Sequence, residues 1–195
     1  ISSIYGVKSA HNKSLPADGD KGSVTFFVTA NGPYNDEQTA KLQQQLQNVA
    51  ESTAFSVHLG NLQDPKAAKC DLSRNDQVAK LLSSSSPKPV FVVPGEEDWN
   101  NCAEPKAAWD DWVDKFEYFH QHWAKNDDDD LLVYFQRDQR SNWAFLRDSV
   151  LFLGVSAVNG IVPDQAEFDT RNNYNFRWVK GMAKDHEASI RAIVI

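Results

Sequence analysis

The chain has 195 residues, of which 41% are hydrophobic and 24% charged, and it carries a net charge of −7. These proportions exclude a disordered chain, and a domain of this length buries roughly 70% of its unfolded surface, so folding needs no disulfide framework. The acidic balance argues against nucleic acid or an anionic membrane surface as the main partner, since both select basic patches, and no apolar run reaches the roughly 18 to 20 residues of a membrane span.

Residues 1–22, polar and rich in Gly, Ser and Lys, predict an N-terminal arm, followed by one domain over 23–195. The chain opens at Ile1 with neither an initiating Met nor a signal-like apolar segment, as expected of a mature product whose leader has been removed; a trimmed chain would open the same way. Residues 24–28 are β-branched and aromatic and predict a strand. Asn35, with Gln38 three residues on, then caps a helix that carries Leu42, Leu46 and Val49 on one face. A second strand over 55–59 is followed by a second helix over about 73–82, closed by a connector in the serine run 83–86. Residues 90–93 form a continuous apolar run, the pattern of a strand buried on both faces.

Pro105 opens a third helix, with Trp109, Trp112, Val113, Phe116, Phe119 and Trp123 along one side as a core stripe. His120 and His122 lie two apart on it, point to different sides and cannot chelate one ion. His58, within a strand, is expected to be packed or hydrogen-bonded. Asp127 to Asp130 interrupt the pattern as a solvated loop. Runs at 131–135, 143–145 and 150–155 then predict neighbouring strands. Asp164 and Glu167 make a capping box for a last helix to about residue 187, and 190–195 read as a strand. The chain stops inside that strand, and an unprotected apolar edge is a liability at a domain's end, so a longer protein is expected. The alternation of strands and helices predicts an α/β layered domain.

Three loops follow the first three strands directly: Ala30-Asn31-Gly32-Pro33-Tyr34, Gly60-Asn61 and Gly95-Glu96-Glu97-Asp98-Trp99. In open α/β sheets the functional groups gather outside the carboxyl ends of the strands, so these loops are the candidate site. Their order, spacing and strand context resemble the calcineurin-like metallophosphoesterase superfamily, which includes the purple-acid-phosphatase-like proteins. Its members carry loops of the form G-D-x-x-Y, G-D and G-N-H-D/E, with His motifs later. The resemblance extends to Pro33-Tyr34-Asn35-Asp36-Glu37, Val93-Pro94-Gly95, Trp99-Asn100-Asn101-Cys102 and Val150-Leu151-Phe152, and covers residues 23–195. It implies a two-sheet β-sandwich flanked by helices, truncated at its C-terminus, with strands 24–28, 55–59 and 90–93 parallel in one sheet.

The departures lie in the chemistry. Asn31 stands at the family's first Asp ligand, Asn61 at the Asp that bridges two metal ions, Glu96 at the Asn ligand and Glu97 at the His that assists the leaving group, while Asp98 and Tyr34 fit the pattern. The family's late His ligands follow the strand that closes this chain. A dinuclear centre needs a bridging carboxylate to hold two like-charged ions, and a positioned His contributes about 10²- to 10⁴-fold in acid–base catalysis. The resemblance therefore implies a catalytically inactive member with no cofactor, serving a binding or structural role beside other protein subunits. Two alternatives stand. One is an active metal-dependent phosphatase or phosphodiesterase whose atypical site is completed by residues beyond 195. The other is a single-cation module in which Glu96, Glu97, Asp98 and the amides of Asn31 and Asn61 hold Ca²⁺ or Mg²⁺. Cys70 and Cys102 are the only cysteines. In the resembling proteins similarly placed Cys can pair, which implies a disulfide and, with it, a secreted or organelle-lumen setting; two buried thiols are the alternative.

Overall fold

The computed structural model describes residues 4–5, 22–67, 69–124, 131–158 and 162–195. Most of the expected arm, and the run Asp127 to Asp130, lie outside these. Ile4–Tyr5 is not an arm but a short strand, β1, paired antiparallel with a later strand.

The first half builds a parallel sheet. β2 (Thr25–Thr29), β3 (Thr53–His58) and β4 (Val90–Val92) lie side by side in that order, as the sequence predicts. Parallel neighbours need long crossovers, and α1 (Asp36–Gln47) and α2 (Ser73–Ser85) supply them. The Asn35 side chain accepts the Gln38 N–H at 3.0 Å to start α1, and Asp36 and Glu37 complement the positive end of the helix. The serine run is not a connector: α2 continues through Ser85. Ser83 and Ser84 hydroxyls bond back to the Lys80 and Leu81 carbonyls, which lets polar residues continue the helical turn.

α3 (Pro105–Phe116) is shorter than its aromatic stripe. Tyr118 turns left-handed at φ 59, and a 3-10 turn over Phe119–Trp123 follows. The redirected turn still delivers Phe119 and Trp123 to the cluster formed by Trp112 and Phe116, and the Trp123 indole donates to the Ser86 carbonyl at 2.8 Å. His120 and His122 therefore sit on this turn, not on the helix. His120 stacks on Phe91 and Phe135, while His122 packs on Phe119 at the surface.

The second half builds the other sheet. β5 (Val133–Gln136), β6 (Trp143–Arg147) and β7 (Val150–Gly154) form an antiparallel meander. Asp148 and Ser149, both at positive φ, make the two-residue turn whose twist matches that of the flanking strands. After α4 (Gln165–Asp185) the chain returns as β8 (Ala192–Val194), parallel to β7. The strand order is β1-β5-β6-β7-β8. Asp164 caps α4, but the capping box is half made: the Glu167 carboxylate turns to Arg171 at 2.8 Å.

Alternation along the strands separates the layers. Phe55, Val57, Phe91 and Val93 face Trp143, Phe145, Val150 and Phe152 between the sheets. On the outer face of the parallel sheet, Val90 and Val92 meet Leu46, Leu82 and Trp112 of the first three helices. On the far side, Trp178 and Met182 of α4 cover Ala144, Leu151 and Leu153. The result is a mixed α/β unit of four layers: helices, sheet, sheet, helix.

Candidate site at the carboxyl ends of the parallel strands

The loops after β2, β3 and β4 meet, and their main chains are bonded to one another. Asn31 N–H donates to the Gly60 carbonyl at 3.0 Å, Gly32 N–H to the Asn61 carbonyl at 2.8 Å, and the Tyr34 hydroxyl to that same carbonyl at 3.0 Å. Asn31 and Asn61 are left-handed, at φ 61 and 58, a conformation Asn tolerates better than most residues. The approach of the second and third loops requires glycine on both sides. A Cβ on Gly60 would lie 2.1 Å from the Gly95 nitrogen, and one on Gly95 would lie 2.1 Å from the Asn61 amide oxygen.

His58, buried at the end of β3, ties the loops from below. Its Nδ1 accepts the Gly60 N–H and its Nε2 lies 3.1 Å from the Gly32 carbonyl, so Nε2 carries the proton in the neutral ring. Burial lowers its pKa to about 4, against a partial upward pull from the Gly32 carbonyl.

Asp98 is the anchor of the third loop. It is fully buried, and its carboxylate accepts the main-chain N–H groups of Gly95, Asn61 and Leu62. Desolvation raises its pKa to about 6, and those N–H donors hold it from rising further. Burial also raises the Tyr34 hydroxyl, assisted by the charges of Asp98, Asp64 and Glu97.

The Asn61 amide occupies the centre. Its nitrogen donates to the Asn31 amide oxygen at 3.0 Å, and its oxygen accepts the Glu97 N–H at 3.2 Å. The structure thus brings together Asn31, Tyr34, Asn61, Asp98 and the main chain of Glu97. The Glu97 carboxylate is held along its own loop by the Asn101 amide at 3.0 Å, and Glu96 lines a neighbouring apolar cleft. That cleft, of about 550 Å³, opens between the two sheets, where Val28, Leu59, Val194 and Ile195 are exposed. The Cys70–Cys102 disulfide, with Cα atoms 5.5 Å apart, joins the loop after β3 to the loop after β4, and both sulfurs lie near the Glu97 carbonyl.

A dinuclear metal centre does not suit this donor set. Asp98 is committed to main-chain donors, and both ends of the amide at the bridging position are already bonded within the protein. Among the described residues, no group of three or more His, Cys, Asp or Glu side chains could hold a metal ion. The sequence shows Gly60 and Gly95 only as neighbours of polar residues, and His58 only as a strand residue. The signal available in advance was the run His58-Leu59-Gly60-Asn61, which places an imidazole directly beneath a tight turn.

Compared with family models, with curated proteins and with solved structures, the chain has no significant match in any of the three.

Proposed function

We propose that this chain is a metallophosphoesterase-like domain without catalytic activity, acting as a binding or structural module among other protein subunits in a secreted or lumenal setting. The observation that carries this reading is the engagement of the Asn61 amide between Asn31 and Glu97. Two carboxylates at positions 31 and 61 would repel each other unless a cation lay between them. Two amides instead satisfy each other, so the loops close with no ion required. The four-layer arrangement and the meeting of the three strand-end loops support the family likeness. The disulfide supports an oxidising compartment. No helix among the described residues is long and apolar enough to cross a membrane.

The test compares the natural protein with one carrying Asn31→Asp, Asn61→Asp, Glu96→Asn and Glu97→His, each supplied with Mn²⁺ or Zn²⁺, by metal analysis and turnover of a generic phosphoester. The natural protein is expected to retain neither metal in stoichiometric amount and to show no turnover, whereas the restored one gains metal affinity. Turnover by the natural protein at ordinary enzyme rates, with kcat on the order of 1 to 10³ s⁻¹, would overturn the proposal. One tightly held Ca²⁺ or Mg²⁺ without turnover would replace it with the single-cation module.

A further inference from the structure

A second cleft, of about 640 Å³, lies between the segment after β4, the start of α3 and the N-terminal half of α4. Its volume falls within the roughly 300 to 1,000 Å³ of small-molecule sites. Its walls are aromatic. Trp109 meets Trp99 edge to face at 5.3 Å, the Arg171 guanidinium lies 5.6 Å from the centre of the Trp99 ring, and Tyr174 also lines the cleft. Trp99 is only 7% exposed, and its indole N–H meets no acceptor within the protein. A buried donor without a partner is uncommon and calls for an acceptor from a bound molecule or solvent.

The charges around the cleft decide what kind of molecule fits. Lys106 is paired with Asp110 at 2.6 Å and Arg171 with Glu167 at 2.8 Å, so neither cation is left to attract an anion. The Asp164 oxygen that caps α4 already takes two main-chain N–H groups, and Glu167 is neutralised by Arg171. A net-neutral ligand is therefore favoured over an ion. It should offer a flat apolar face to Trp109 and Tyr174, and hydroxyl groups to the polar rim at Asp164 and Thr170. A sugar ring has both properties. Proline-rich peptides also dock on aromatic-lined grooves, but here Trp99 lies at the bottom of a concave cleft rather than on an extended ridge.

We propose that this cleft binds a neutral saccharide. The proposal is independent of the metallophosphoesterase reading, because it uses none of the strand-end loop residues Asn31, Asn61 or Glu97. It is tested on the full chain by calorimetry and tryptophan fluorescence with glucose, galactose, mannose, N-acetylglucosamine and their short oligomers, and with a proline-rich peptide. At least one saccharide should bind saturably, with Kd on the order of 1 mM or tighter. Trp109→Ala should weaken that binding tenfold or more. Because Trp109 also packs in the core, Thr170→Arg provides the second variant: it places a large side chain at an exposed rim position and should abolish binding while leaving the melting temperature unchanged. The proposal fails if no saccharide binds at tens of millimolar. It fails equally if binding survives Thr170→Arg, or if the peptide alone binds and is lost in that variant.

Discussion

His58 places both ring nitrogens on the loops it supports, which makes its protonation state a structural matter. With its pKa lowered from 6.5 to about 4 by burial, the folded protein keeps the ring neutral over a range in which the unfolded chain takes up a proton. Stability from this group is complete above about pH 6.5 and is lost as pH falls toward 4, amounting to about 3 kcal/mol over the window. Asp98 works in the opposite sense: its pKa is raised to about 6, so its contribution is present in acid and is lost as pH rises through that value. Comparison with His58→Gln isolates the imidazole, since glutamine offers both a donor and an acceptor without titrating. The stability advantage of the natural protein over this variant, from urea unfolding, should shrink between pH 6.5 and 4; parallel curves would contradict it. The residue types of the site were legible in the sequence, including the two asparagines and the acidic run at 96–98. What was not legible is which atoms they spend on each other. Amide pairing depends on two left-handed backbones and on the absence of Cβ atoms at Gly60 and Gly95, features set by the meeting of loops far apart in the chain.

The elements were more legible than their ends. Alternating apolar residues and Asn35 and Asp164 at the helix starts announced the strands and most helices. The two misplaced boundaries share a cause. Serine propensity argued for a loop at 83–86, yet Ser85 and Ser86 are buried and the helix persists under tertiary packing. The aromatic stripe argued for a continuous helix to Trp123, yet the same rings pack as well from a 3-10 turn after Tyr118. The disulfide acts at this scale, because it joins two loops that otherwise meet only through hydrogen bonds near Asn61 and Asp98. Breaking a closure of 32 residues in sequence separation removes about 3 to 4 kcal/mol on the chain-entropy model. Reduction, or paired Cys70→Ala and Cys102→Ala, should lower the melting temperature. It should also speed amide exchange at Asn61, Leu62 and Glu97 more than in the far sheet, measured by hydrogen–deuterium exchange. Uniform acceleration would show that the bond acts on the unfolded chain alone.

Across the whole molecule the two sheets are held face to face by one aromatic cluster. Phe55 stands at its centre, with ring centroids of Phe26, Phe91, Phe145 and Phe152 at 5.2, 5.9, 5.0 and 4.9 Å. Phe55→Ala should cost about 3 to 5 kcal/mol, and Phe55→Leu less, by urea unfolding; a loss below 1 kcal/mol would mean the layers repack freely. The layered class was legible because α1 and α2 fall between strands that are too far apart to form hairpins. The pairing of β1 with β5 was not, since Ile4–Tyr5 carries too short a pattern to be distinguished from an arm. The connectivity of the two sheets also has a consequence in time. β5, β6 and β7 pair through turns only a few residues long, whereas β2, β3 and β4 wait for whole helices to cross between them. Short-range pairing loses little chain entropy before contacts form, and long-range pairing loses more. The meander is thus the natural nucleus, and pulse-labelling during refolding should find its amides protected first. The loops that carry Asn31, Asn61 and Asp98 would then be the last part of the molecule to take shape.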